Sequence, residues 1–94
     1  MTAAELSERT GAHARLMGAL ARATDHGERV PCIGKPDVWD GEHPELQEAA
    51  IHACGICDQF TACRRYVAAH PEPEGIWAGL TPKEQKRLHR EVNR

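Results

Sequence analysis

Residues 54–63, "CGICDQFTAC", hold three of the four cysteines of this chain in one short segment. What those sulfurs hold decides how the rest of the chain folds. The fourth, Cys32, stands 21 residues before Cys54, which is followed by two residues, Cys57, five residues and Cys63. A Cys-x-x-Cys pair across a helix end lets both sulfurs face one point, and Gly55 between them lets the backbone pass close to a bulky group. Cys63 follows within two helical turns and can turn toward the same point, while Cys32 arrives from a distant loop. Four converging thiolates fit an all-cysteine zinc centre or an all-cysteine iron–sulfur cluster, and spacing alone does not separate the two.

The composition shows why such a centre is needed. Leu, Ile, Val and Phe number 15 of 94 residues, and the larger hydrophobic total is inflated by 14 alanines. That falls below the roughly 20% at which chains begin to resemble disordered ones. Small domains in this position recruit disulfides, a metal or a partner. No window has the roughly 18 to 20 apolar residues of a membrane span, and the N-terminus lacks a basic segment followed by an apolar one, so the expected compartment is the cytoplasm. In a reducing compartment, clustered cysteines point to metal or redox chemistry before structural disulfides.

Periodicity predicts an all-α fold of four helices. The first covers residues 12–23, with Ala12, Leu16, Leu20 and Ala23 on one face. A loop follows through "ERVPCIGKPDVWDGEHPE", whose three prolines and two glycines disfavour regular structure. The second helix starts at Pro44 and ends at Cys54–Gly55, and the third covers about residues 58–70. In the last, "LTPKEQKRLHREVN", Thr81 caps, Pro82 takes the first turn and Glu84 completes a capping box. No alternating strand pattern or internal repeat appears.

Two features tilt the cysteines toward a cluster. Structural zinc sites usually pair their ligands as two short knuckles, whereas here Cys32 and Cys63 stand alone. A cuboidal cluster also fills more of a poor core than one ion does. A thioredoxin-like Cys-x-x-Cys belongs after a strand, which this sequence does not offer. The six histidines read as surface or packing residues, since four cysteines already complete a coordination shell.

Taken with "PDVW" after Cys32 and "GIWAGLTPKEQKRL" after Cys63, the pattern resembles the WhiB-like family of actinobacterial and actinophage transcription factors. The resemblance covers roughly residues 30–90. It implies a single small helical domain, residues 1–94, wrapped around one 4Fe–4S cluster. Residues 1–28 would supply an N-terminal helix, 30–80 the cluster-binding core and Gly-Ile-Trp turn, and 81–94 a basic helix. It further implies that Cys32, Cys54, Cys57 and Cys63 ligate a cluster sensitive to oxygen and nitric oxide. The implied partners are region four of the primary sigma factor in RNA polymerase and promoter DNA, with no membrane and no small-molecule substrate. For sigma the expected residues are Gly75, Ile76, Trp77 and Gly79 of the turn, with Trp39. The family turn is usually Gly-[Val/Ile]-Trp-Gly-Gly, so Ala78 replaces a glycine, and its methyl group fits there if φ is negative.

The residues themselves accommodate these roles. Trp39 and Trp77 make up half of the aromatic residues and sit in Gly/Pro-rich segments, as lids over buried material or anchors for a partner. Although the formal net charge is −2, residues 81–94 carry five Lys or Arg against two Glu. Lys83, Lys86, Arg87, Arg90 and Arg94 read either as a solvated face near a helix C-terminus or as phosphate contacts. The expected function is therefore non-enzymatic transcriptional regulation. Two other functions share Cys54 and Cys57: a protein disulfide reductase in the cluster-free form, and a zinc-stabilised interaction module.

Overall fold

A computed structural model describes residues 2–93. Its helices are α1 (Ala3–Asp25), α2 (Pro36–Trp39), α3 (Pro44–Gly55), α4 (Phe60–Ala69) and α5 (Pro82–Val92). The all-α expectation holds with five helices instead of four. The additional one is a single turn over "PDVW": Pro36 opens it, and the Asp40 N–H closes it on the Pro36 carbonyl at 2.9 Å. The first helix also starts nine residues earlier than its apolar face indicates. Thr2 and Glu5 form a reciprocal capping box there, which satisfies two orphan backbone donors at an end with almost no buried side chain. The same device starts α5, where Thr81 and Glu84 bond reciprocally. No described helix is long and apolar enough to cross a membrane.

Burial divides the molecule into two small layers. Leu16, Leu20 and Ala23 of α1 pack with Val30, with Tyr66 and Val67 of α4, and with Ala78. Ala50 and Cys54 of α3 pack with Ile76, against Val38 and Trp39 of α2. Phe60 touches both groups. Both layers are thin, as the shortage of large aliphatic residues requires, and polar contacts supply much of the connection between them.

The most deeply buried polar side chain is Gln85. Its Oε1 accepts from the Glu72 N–H at 2.8 Å, and its Nε2 donates to the carbonyls of Leu80 at 3.1 Å and Gly75 at 3.4 Å. A buried amide so nearly saturated stabilises a unique arrangement, because any displacement strands several polar groups at once. The Glu72 carboxylate accepts from the Tyr66 hydroxyl and pairs with Arg9 at 3.2 Å. One connected network therefore ties α1, α4 and α5 to the segment 72–80.

That segment ends in a two-residue hairpin. Trp77 and Leu80 exchange backbone hydrogen bonds at 3.1 and 2.9 Å, and the residues between them, Ala78 and Gly79, have φ of 52° and 72°. Positive φ at both central positions is the type I′ turn. Ala78 therefore does not have the negative φ that would suit its methyl group. It occupies left-handed backbone at a cost of about 1–2 kcal/mol, which the hairpin pair and the burial of Ala78 impose. Gly75 is required for a second reason: at φ 86° a Cβ would lie 2.7 Å from the Trp39 carbonyl oxygen.

Three substitutions test this account. Ala78→Gly should raise stability by about 1 kcal/mol, or roughly 4–8 °C in Tm. Gly75→Ala should lower it by at least about 2 kcal/mol. Gln85→Leu, isolating one N–H and two carbonyls, should cost about 2 kcal/mol or more. Thermal and urea melts of each variant beside the parent are the measurement.

Candidate functional site

The four cysteines come from separate pieces of chain. Cys32 lies in the loop after α1, Cys54 is the penultimate residue of α3, Cys57 follows in a turn closed by its N–H on the Cys54 carbonyl at 3.2 Å, and Cys63 is on α4. All four thiols are free. Three hydrogen bonds between residues 28–29 and 58–59 bring the distant Cys32 loop to the others. The Arg29 N–H donates to Asp58 Oδ2 at 2.7 Å, the Asp58 N–H donates to the Arg29 carbonyl at 2.9 Å, and Gln59 Nε2 donates to Glu28 at 3.0 Å.

These connections place Cys32, Cys54, Cys57 and Cys63 in the wall of one cavity of about 400 Å³. The remaining wall is largely apolar and includes Met17, Leu20, Phe60, Ile76 and both tryptophans. For scale, one water's share of liquid volume is roughly 30 Å³. Among the described residues, no three His, Cys, Asp or Glu side chains are grouped so as to hold a metal ion. The four sulfurs therefore share a cavity wall without converging on one coordination point. Soft thiols around a space larger than an ion suit an iron–sulfur group by donor type and by room.

Burial sets the chemistry of these thiols. It pushes Cys63 up to about 12, against a backbone N–H from Ala78 that works the other way. Cys32 is raised by burial and then by the neighbouring Cys57 and Cys54, and Cys57 by burial, partly offset by the backbone N–H of Gln59. Three sulfurs of the set are thus held protonated in the metal-free fold, and thiolates there need a compensating cation. Donors are already aimed at two sulfurs: Trp39 Nε1 lies 3.2 Å from Cys54 Sγ, and the Gln59 N–H donates to Cys57 Sγ at 3.4 Å.

The other anticipated residues divide by exposure. Gly75 and Ile76 are buried, while Trp77, Gly79 and Trp39 are half-buried. Trp77 donates its indole N–H to the Glu74 carbonyl at 3.1 Å and packs against Tyr66 with ring centroids 5.7 Å apart. Lys83, Lys86, Arg87 and Arg90 are all exposed on α5, with Gln85 on its buried side. Arg94 lies outside the described residues. The Arg29–Asp58 clamp and the Gln85 network were not anticipated. The one available sign was a glutamine three residues before Leu88, on the face that the helical period turns inward.

Comparison with known proteins agrees with the pattern of cysteines and turn. The family model for the transcription factor WhiB matches residues 19–88, a span containing all four cysteines, both tryptophans and most of α5. The transcriptional regulator WhiB2 of Mycolicibacterium smegmatis is 35% identical over 66 residues, covering 69% of this chain and 51% of that protein. WhiB2 of Mycobacterium tuberculosis is 33% identical over 57 residues, covering 61% of this chain and 64% of that one. The chain thus spans about half to two thirds of the length of these relatives. No solved structure matches it significantly.

Since thiolates alone are nucleophilic, the metal-free, reduced protein should alkylate more slowly at Cys63 than at Cys32 or Cys57. The raised thiol also predicts the sign of a pH effect. Below the ordinary thiol pKa of about 8.5 the stability should be flat with respect to this group. It should fall as pH rises from there toward about 12, because only the unfolded chain then ionises Cys63. Iodoacetamide mass mapping at pH 8, and urea melts at pH 8 and 10 with Cys63→Ala as control, measure both.

Proposed function

The chain belongs to the WhiB family of transcription factors, and on that premise we propose that it is an iron–sulfur regulator that docks on the primary sigma factor of RNA polymerase and approaches promoter DNA. The observation that carries this reading is the sharing of one apolar cavity by four free cysteines drawn from a loop, two helices and the turn between them. Cys32, Cys54, Cys57 and Cys63 would hold a 4Fe–4S cluster. When bound, such a group supplies a redox centre that oxygen and nitric oxide disassemble.

The chain's own residues explain how loss of the group would reach the partners. Cys54 belongs to the α2–α3 layer and Cys63 to the layer of α1 and α4. A group held by both joins layers whose direct apolar contact is thin, so its loss would free one from the other. The hairpin carrying Trp77 is bonded to both sides: Ile76 N–H to the Trp39 carbonyl at 2.8 Å, and Gly75 and Leu80 to Gln85. Trp77 and Gly79 thereby depend on both layers for their presentation to region four of sigma, with Gly75 and Ile76 as the buried support and Trp39 beneath. Lys83, Lys86, Arg87 and Arg90 would face phosphate from the exposed side of α5, whose Gln85 holds the hairpin; such contacts position the complex without reading sequence. Arg94 extends this basic series in the sequence.

The disulfide-reductase alternative asks for an exposed thiol of lowered pKa, whereas burial raises Cys57. A zinc module is separated by metal content. Anaerobically purified protein should contain iron and acid-labile sulfide at about four each per chain; one zinc without sulfide would overturn the reading. The loaded protein should co-purify with sigma region four, and Trp77→Ala should weaken that complex by about 2 kcal/mol. Loaded protein without sigma binding would remove the partner assignment. In the sigma complex, Lys86→Ala and Arg90→Ala should each reduce the salt dependence of DNA binding by about one unit of slope.

A further inference from the structure

Trp39 has two polar contacts that point in different directions. Its indole N–H lies on Cys54 Sγ at 3.2 Å, and its backbone carbonyl accepts from the Ile76 N–H at 2.8 Å. The sulfur it meets is buried. On another side of Cys54 the hairpin backbone passes so near that a Cβ on Gly79 would lie 3.7 Å from the Cys54 Cβ. Cys54 is therefore enclosed by an aromatic donor and the turn, and Trp39 touches both the sulfur and the turn. The donor is specific to tryptophan: phenylalanine or tyrosine would supply a ring and no N–H at this reach.

We infer that Trp39 is a positioning residue for Cys54, whose indole N–H fixes and charge-stabilises that sulfur while its carbonyl holds the Gly75–Leu80 hairpin. The contact itself stands on the geometry alone; its consequence for metal retention rests on the reading of the four cysteines as cluster ligands. A hydrogen bond donated to a ligating sulfur favours the more negative, reduced state of a cluster and holds the ligand in place. The indole is thus directed inward, and Trp39 supports the docking turn from beneath instead of gripping a partner with its ring.

The test compares Trp39→Phe, which keeps the ring and removes the donor, with Cys54→Ala. In the reduced, cluster-free protein the two indole N–H resonances are assigned by their loss in Trp39→Phe and Trp77→Phe. The Trp39 signal should shift in Cys54→Ala while the Trp77 signal, bonded to Glu74, stays in place. In the loaded protein, Trp39→Phe should preserve helix content, retain iron against a chelator roughly tenfold less well, and move the midpoint potential to more negative values. A Trp39 signal indifferent to Cys54→Ala, or a loaded Trp39→Phe variant with the parent's retention and potential, overturns the inference. Should the cluster-free protein fail to disperse its signals, the retention and potential decide. A Trp39 signal that answers to Cys54 in a protein without iron or sulfide keeps the hydrogen bond and removes the cluster reading. Iron and sulfide present with Trp39→Phe unchanged gives the reverse.

Discussion

The backbone from Glu72 to Leu80 is held by one buried amide, that of Gln85, and the surrounding architecture depends on that grip. With so few large aliphatic residues, packing alone cannot fix how α5 lies against the turn, and a neutral amide with three partners does it directionally. Through Glu72 the same network reaches Tyr66 and Arg9. The polar connection takes the place that a larger hydrophobic core occupies in domains richer in leucine and isoleucine.

Holding the turn this way has a cost at Ala78, the single non-glycine residue with positive φ among those described. Strain retained at such a point indicates that the surroundings over-determine it. The hairpin pair, the packing of Ala78 in the core and its N–H beside Cys63 all converge there. Ala78 forms part of the cavity wall, so the strained turn and the cysteine cavity are one construction. A shift in the turn would alter the surroundings of Cys63, and a change at the sulfurs would be felt by Trp77.

The cavity in turn explains the charge state of the thiols. Four ionised sulfurs around an apolar space would repel one another without solvent to screen them, and burial accordingly keeps Cys32, Cys57 and Cys63 protonated. On the proposed reading, binding of a cationic group would exchange protons for metal and convert that unfavourable site into the centre joining the two layers. Oxidative loss of the group would then act on the whole molecule and not on one surface patch.

Much of this was legible in the chain itself. Pro44 and the Thr81–Glu84 box determined where α3 and α5 begin, and the cysteine spacing marked four residues that line one cavity, because caps, prolines and helical periods act over a few residues. The capping box at Thr2 and Glu5 was equally local and shows that α1 extends beyond its buried face. The tertiary structure alone decided the rest. That Asp58 would clamp Arg29, that Gln85 would saturate Glu72, Gly75 and Leu80, and that Trp39 would direct its N–H to Cys54 are pairings across 5 to 29 residues, with no periodicity to announce them. Even the sign of φ at Ala78 was settled by the hairpin it closes, since an alanine by itself prefers the opposite one.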